Sequence, residues 1–73
     1  MRLIHSVIVV NDTYQSCSPK RNLQFLVAHG TGVLKVNGRE ASINEDSIFT
    51  ALAEIGFRMQ ANSKMTLHMF EWI

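Results

Sequence analysis

Short apolar runs, each ended by residues that favour turns, are the feature that most constrains how this chain folds. About seven such runs cover most of the sequence, and the first, Leu3 to Val10, is rich in β-branched residues. Asn37-Gly38 separates two of the runs. This dipeptide is the strongest short-range signal for a β-hairpin, because a type I′ turn needs positive φ at both central positions. The pattern predicts an all-β sandwich or barrel.

The interruptions between the runs define the expected strands. Residues 11–22 are polar, contain the only proline and are predicted to form a loop. The stretch from Ile48 to Ile55 contains Ala-Leu-Ala-Glu, which is compatible with a helix, but a strand is preferred because the run is short and Gly56 follows it. No repeat or linker divides the chain, so residues 1–73 are expected to form a single domain. The expected strands are 3–10, 23–28, 33–36, 39–43, 48–52, 57–61 and 65–73.

Charge and cysteine content bear on the classes of function. Seven Lys or Arg residues against six Asp or Glu residues give a net charge of +1. This balance does not provide the basic surface that phosphate neutralisation requires, so no direct contact with nucleic acid is expected. The apolar run from Val7 to Val10 is far too short to span a membrane. The single cysteine, Cys17, cannot form an internal disulfide, which favours a reducing, cytoplasmic location.

The small size of the chain indicates self-association. A chain of this length buries only about 60% of the surface that its unfolded form exposes, which leaves little margin of stability. Without a disulfide, association with another chain is one of the usual remedies. The apolar end Phe70-Glu71-Trp72-Ile73 is the kind of surface that a second copy, or residues following it in a longer chain, would cover. We therefore expect a homodimer.

The second part of the chain carries motifs in a characteristic order. An apolar strand is followed by His29-Gly30-Thr31-Gly32, and a second strand is followed by Asn37-Gly38-Arg39-Glu40. In Asp46-Ser47-Ile48-Phe49 an acidic residue precedes an apolar strand. Within the last strand, the stretch from Leu67 to Ile73 is rich in aromatic residues. In these features Leu23 to Ile73 resembles the N-terminal cupin barrel of AraC-type transcription regulators. The corner from Ala51 to Phe57 departs from that family's pattern, which has a Pro-Pro-Gly-like turn that often leads to a histidine.

The resemblance implies a small cupin-like β-barrel of the jelly-roll type, with about seven short strands. It further implies a non-enzymatic domain that senses a small-molecule effector, such as a sugar, and dimerises, without a cofactor. The helix-turn-helix domain of those regulators is not among these 73 residues. The chain is therefore either the sensor part of such a regulator or a free-standing relative.

Five residues are expected to bind the effector. By resemblance, the pocket positions of the sugar-sensing regulators match His29, Arg58, His68 and Phe70. Period-two alternation places Trp72 on the same face of the last strand as His68 and Phe70. The aromatic rings are suited to stack on a ring or an apolar sugar face, and histidine and arginine offer directed donors. The alternative is that Phe70 and Trp72 belong to the core and that Arg58 is solvated.

Two other functions remain open. Metal-dependent cupin enzymes present a His-x-His, a downstream glutamate and a later histidine, a set that suits Fe, Mn, Ni or Zn. This chain contains no His-x-His, but a site made of His5, His29 and His68 is an alternative if the strands bring the three together. The other alternative is a dimerisation module without any ligand, which an interior too small for a ligand would favour.

Overall fold

The computed structural model describes residues 2–73, which form eight β-strands joined by turns and loops. None of these residues belongs to a helix of the length and apolarity needed to cross a membrane. The strands are β1 (Leu3–Val10), β2 (Thr13–Ser16), β3 (Leu23–His29), β4 (Gly32–Val36), β5 (Arg39–Ile43), β6 (Ile48–Ala51), β7 (Phe57–Ala61) and β8 (Met65–Trp72).

The strands form two antiparallel sheets of four. The first sheet has the order β1-β8-β3-β6 and the second has the order β2-β7-β4-β5. Eight strands in two packed sheets are a jelly-roll arrangement, so the predicted all-β fold of the jelly-roll type is confirmed. Within residues 2–73 no strand pairing joins the two sheets. The molecule is therefore a two-sheet sandwich rather than the closed barrel that was expected.

The predicted strands agree closely with the observed ones, with one omission. The bounds of β1, β5 and β7 are those predicted. Residues 48–51 form the strand β6, so the helical alternative is wrong. The predicted loop 11–22 contains the additional strand β2, which pairs with β7 and places Tyr14 opposite Met59. The ring of Tyr14 also lies 6.0 Å from that of Phe57, and this tertiary packing stabilises a polar segment as a strand.

Left-handed backbone conformations mark the turns. Asn37 and Gly38 have φ values of 50° and 77°, which confirms the predicted hairpin between β4 and β5. Gly30 has a φ of 89°, and a Cβ atom at this position would clash with the backbone carbonyl oxygen of Lys64. Glycine is therefore required at position 30, both for its positive φ and for lack of space for a Cβ atom. The strand β3 ends at the preceding residue, His29.

The corner between β6 and β7 is held by the segment that precedes β3. The side-chain oxygen Oδ1 of Asn22 accepts a hydrogen bond of 2.7 Å from the backbone N–H of Ala53. The carbonyl oxygen of Pro19 accepts another of 2.7 Å from the backbone N–H of Glu54. Glu54 itself has a positive φ of 67°. This corner therefore reaches its geometry without the proline-rich turn of the resembling family.

Candidate functional site

The interior between the two sheets is filled by aliphatic, sulfur-containing and aromatic side chains. Phe25 is fully buried, with its ring 5.0 Å from that of Phe49 and 5.7 Å from that of Phe57. Residues 2–73 bury no polar or charged side chain. A sugar or a metal ion needs directed polar groups, and none of the described residues supplies a fully buried one; the half-buried Ser6, opposite Met69, is the polar residue on the inner side of β1. The other buried residues of the hydrophobic core are Val10, Val27, Ile43, Ala51, Met59, Met65 and Leu67.

The five predicted effector-binding residues lie in three separate places. His68, Phe70 and Trp72 lie on β8, in the first sheet, whereas Arg58 is exposed on β7, in the second sheet. His29 ends β3 and is exposed. The structure therefore brings together only the three residues of β8.

Strand alternation decides where those three residues point. Leu67 of β8 is fully buried and contributes to the core. His68, Phe70 and Trp72 alternate with the core-facing residues of β8, so they lie on the outer face of the first sheet. Phe70 is half-buried and Trp72 is 55% exposed. The alternative that both aromatic residues belong to the core is therefore wrong, and their role in effector binding stays a prediction.

His29 and Arg58 have surroundings of their own. Nδ1 of His29 lies 3.1 Å from a carboxylate oxygen of Glu45, and both side chains are well exposed. Arg58 lies between Gln15 and Lys35 in the register of the second sheet. Arg58 lies on the other sheet from the three residues of β8, whereas His29 pairs with Thr66, two positions before His68 on β8.

The outer face of the first sheet is rich in large apolar side chains. One cross-strand row runs over all four strands from Val7 through His68 and Leu26 to Ile48. The neighbouring row runs from His5 through Phe70 and Gln24 to Thr50. None of the residues on this face is Lys, Arg, Asp or Glu. We call it the apolar face, and it consists of Leu3, His5, Val7, Val9, Gln24, Leu26, Ile48, Thr50, Thr66, His68, Phe70 and Trp72.

Large side chains of the apolar face are exposed to solvent. Ile48 is 66% exposed and Val7 is 57% exposed. Exposed apolar surface that is contiguous, rather than scattered, marks sites of interaction. The sequence of β1 indicates such a face. A strand with one face in water alternates apolar with polar residues, whereas β1 carries apolar residues on both of its faces.

The outer face of the second sheet is polar, in contrast. Lys35 and Glu40 lie opposite each other across β4 and β5 and form an ion pair of 3.6 Å. Arg58 and Gln60 of β7 extend the polar surface. A face of this composition is suited to contact with water. The two outer faces of the sandwich therefore differ in what they are suited to contact.

A shallow groove crosses the apolar face. Its volume is about 240 Å³, below the range of about 300–1,000 Å³ that is usual for small-molecule sites. Gln24 is the only polar residue among those that line it. The other lining residues are Leu3, Phe25, Leu26, Ile48, Phe70 and Trp72.

Two of the three histidines meet on the apolar face. Nε2 of His5 lies 2.8 Å from Nδ1 of His68, and the two rings are inclined by only 24°. One of these nitrogens donates a hydrogen bond to the other, according to the tautomers present. The ring of His5 also stacks on Phe70 at 4.9 Å. His29 is not part of the pair, and residues 2–73 contain no group of three or more His, Cys, Asp or Glu side chains placed to hold a metal ion.

Comparison with solved structures gives the fold a name. A cupin superfamily protein from Desulfitobacterium hafniense superimposes with a TM-score of 0.84 over 99% of this chain and 68% of its own, at 11% identity. The EutQ protein of Clostridium difficile gives a TM-score of 0.85 over 97% of this chain and 56% of its own, at 12% identity. This chain has the cupin fold.

An enzyme of known reaction is also similar in structure. Salicylate 1,2-dioxygenase from Pseudoaminobacter salicylatoxidans gives a TM-score of 0.81 at 17% identity, over 94% of this chain but only 19% of its own. The cupin fold thus occurs in enzymes as well as in other proteins, and likeness at such identities shows the fold alone. The sequence matches no family model and no curated protein sequence. The cupin part of the predicted resemblance is confirmed, whereas the relation to AraC-type regulators stays a prediction.

Proposed function

We propose that this chain is a non-catalytic dimerisation module with the cupin fold, which pairs with a second copy of itself through the apolar face. The observation that carries the proposal is the contrast between the two outer faces of the sandwich. The apolar face has no charged residue and exposes large side chains such as Ile48 and Trp72. The opposite face carries Lys35, Glu40 and Arg58.

A second copy is the occupant that best fits the chemistry of this face. The face has no Lys, Arg, Asp or Glu and is rich in apolar side chains. A partner therefore needs no complementary charge, and the same face of a second copy can pack against it. A two-fold axis that lies in the plane of the interface, parallel to the two sheets, uses the same patch twice, as in most protein homodimers. The pairing also gives a small domain additional buried apolar surface, which such domains lack when alone.

The size of the face agrees with a dimer of moderate affinity. With strands about 4.8 Å apart and a rise of about 3.4 Å per residue, the first sheet covers about 440 Å². Two flat sheets of this size would bury about 900 Å² in total, and the side chains that project from them add to this area. Stable interfaces begin near about 1,000–1,200 Å². The whole face is therefore needed for a dimer, and we expect the large side chains near its centre to contribute most.

The filled interior supports a role in association over one in sensing. The resembling regulators combine effector binding with dimerisation. Here Phe25, Phe49 and Phe57 occupy the space between the sheets where an effector would be enclosed. Of these two roles, this chain would retain dimerisation, either as part of an AraC-like regulator or as a free-standing relative in the cytoplasm. Effector binding would have to use the open surface near Phe70 and Trp72.

Sedimentation velocity with a matched pair of variants tests the proposal. We expect the native chain of 8.3 kDa to sediment as a dimer, with a monomer fraction that grows on dilution. Ile48→Glu adds a charge to the apolar face at a residue that is 66% exposed, so it should weaken the dimer by at least about tenfold without unfolding the chain. Gln60→Glu is the control, because Gln60 is exposed on β7, on the polar outer face of the second sheet.

Two results would contradict the proposal. One is a native chain that remains monomeric up to millimolar concentration. The other is a dimer that Gln60→Glu weakens as much as Ile48→Glu does, because the contact would then not be confined to the apolar face. Circular dichroism of both variants verifies that each retains its sheets.

A further inference from the structure

The paired histidines are a feature of the apolar face that burial of apolar surface does not explain. His5 and His68 are the only ionisable side chains in the two rows that cross all four strands, whereas His29 lies opposite Thr66 at the edge of the face and contacts Glu45. A hydrogen bond between two neutral groups adds only about 0.5–1.5 kcal/mol to stability, and apolar residues of similar shape would serve a buried interface as well. The placement of two imidazoles there therefore points to a second use.

The backbone holds the two rings close together from strands at opposite ends of the chain. In the register of β1 and β8, His5 lies opposite Phe70 and His68 lies opposite Val7. The two histidines are therefore diagonal neighbours on the same face. Their nearest nitrogens, Nε2 of His5 and Nδ1 of His68, are 2.8 Å apart.

This spacing is close to what a shared metal ion requires. Zinc binds imidazole nitrogen at about 2.0–2.1 Å in tetrahedral geometry, which separates two ligand nitrogens by about 3.3–3.4 Å. An increase of about half an ångström from the hydrogen-bonded distance, with a turn of the rings toward the outside of the sheet, is sufficient. Divalent Zn, Ni and Cu all favour such nitrogen ligands.

One chain supplies two ligands, and a structural zinc site needs four. His68 lies beside the centre of the apolar face, on β8, one of its two inner strands, and in one of the two rows that cross all four strands. A two-fold axis through that centre brings His68 of one copy close to His68 of the other, each accompanied by its own His5. Dimerisation would thus complete the ligand set.

We propose that His5 and His68 of two copies together bind one Zn²⁺ ion in the dimer interface, so that zinc strengthens the association. The inference rests on the dimer proposed above and adds to it a metal that regulates or stabilises the pairing. Metal ligands from two chains link metal binding to dimerisation, because the complete site exists only in the dimer.

Zinc titration of the metal-free protein, prepared with a chelator, tests the proposal. We expect saturating Zn²⁺ to lower the dimer dissociation constant by at least about tenfold. Calorimetry should give one zinc ion per two chains, and Mg²⁺, which prefers oxygen ligands, should have no effect. In His5→Gln and His68→Gln the ratio of the dissociation constants with and without zinc should fall to one. His29→Gln, which alters the third histidine, should retain the response of the native chain.

The outcomes separate this inference from the dimer proposal. A dimer whose affinity does not respond to zinc refutes the metal site and leaves the proposed function standing. A chain that is monomeric with and without zinc refutes both. A zinc response that His29→Gln removes, or that persists in both His5→Gln and His68→Gln, also refutes the site.

Discussion

Replacement of Phe25 by alanine tests whether the interior is packed as the structure shows. Phe25 has no exposed surface, and its ring packs on those of Phe49 at 5.0 Å and Phe57 at 5.7 Å. Truncation of a fully buried phenylalanine costs about 3–5 kcal/mol, since the loss of transfer free energy is added to that of the cavity left behind. A domain of this size is expected to have about 4–11 kcal/mol of unfolding free energy in total. Phe25→Ala should therefore remove a large part of the stability.

Phe70→Ala is the matched control, because it removes the same ring from the outer face of the same sheet. Phe70 is half-buried and stacks on His5 at 4.9 Å. Its truncation in the monomer should cost only about 0.5–1.5 kcal/mol, the value of an aromatic contact. The assay is urea unfolding followed by circular dichroism, at concentrations low enough to keep every variant monomeric, because dimerisation would otherwise add to the apparent stability.

The stability losses of Phe25→Ala and Phe70→Ala also test whether the interior could enclose a ligand. If Phe25→Ala costs less than about 1 kcal/mol, or no more than Phe70→Ala, the ring of Phe25 is not tightly enclosed. The interior would then have room to rearrange around a ligand, and the argument for association over sensing would fail. If Phe25→Ala is too unstable to purify, Phe25→Leu, which keeps most of the buried volume, allows the same comparison at a smaller loss of stability.

Three further outcomes are expected. Gly38→Ala should lower the unfolding free energy by about 1–2 kcal/mol, because alanine disfavours the positive φ of this position. Gly30→Ala should lower it by about 1–3 kcal/mol more, because the added Cβ would also clash with the backbone of Lys64. Equal losses for the two variants in urea unfolding would contradict that clash. His29→Ala and Glu45→Ala should each change stability by less than about 1 kcal/mol, since the contact between them is exposed, and a larger loss would show that it is structural. The exposed thiol of Cys17 should react fully with a thiol-specific chromogenic reagent in native buffer, and protection until the chain unfolds would place it in a buried site.

The turns were predictable because they depend on local chemistry. Asn-Gly at 37–38 has the required conformational freedom within itself, so the hairpin of β4 and β5 follows from neighbouring residues. The strand β2 was not predictable in this way. Thr13–Ser16 is polar and short, and it becomes a strand only because β7 provides its hydrogen-bond partners and because Tyr14 packs on Phe57. Neither partner is close to it in the sequence.

The candidate site was predictable in part. Alternation along the last strand correctly grouped His68, Phe70 and Trp72 on one face. The grouping of these residues with His29 and Arg58 depended on resemblance and on an enclosed pocket. The structure instead separates the five residues into three places, because Arg58 lies on the other sheet and His29 at the end of β3.

The sequence by itself determined that the chain is built of short strands, where most of them begin and end, and which side chains of a strand share a face. Only the tertiary structure decided which of the two faces is buried. On β8 both faces are largely apolar, with Leu67 and Met69 on one side and Phe70 and Trp72 on the other, so alternation alone leaves the choice open. The packing of the second sheet onto Leu67 resolves it. The pairing of His5 with His68 likewise required β1 to meet β8 across 63 positions of the chain, a contact that no local pattern specifies.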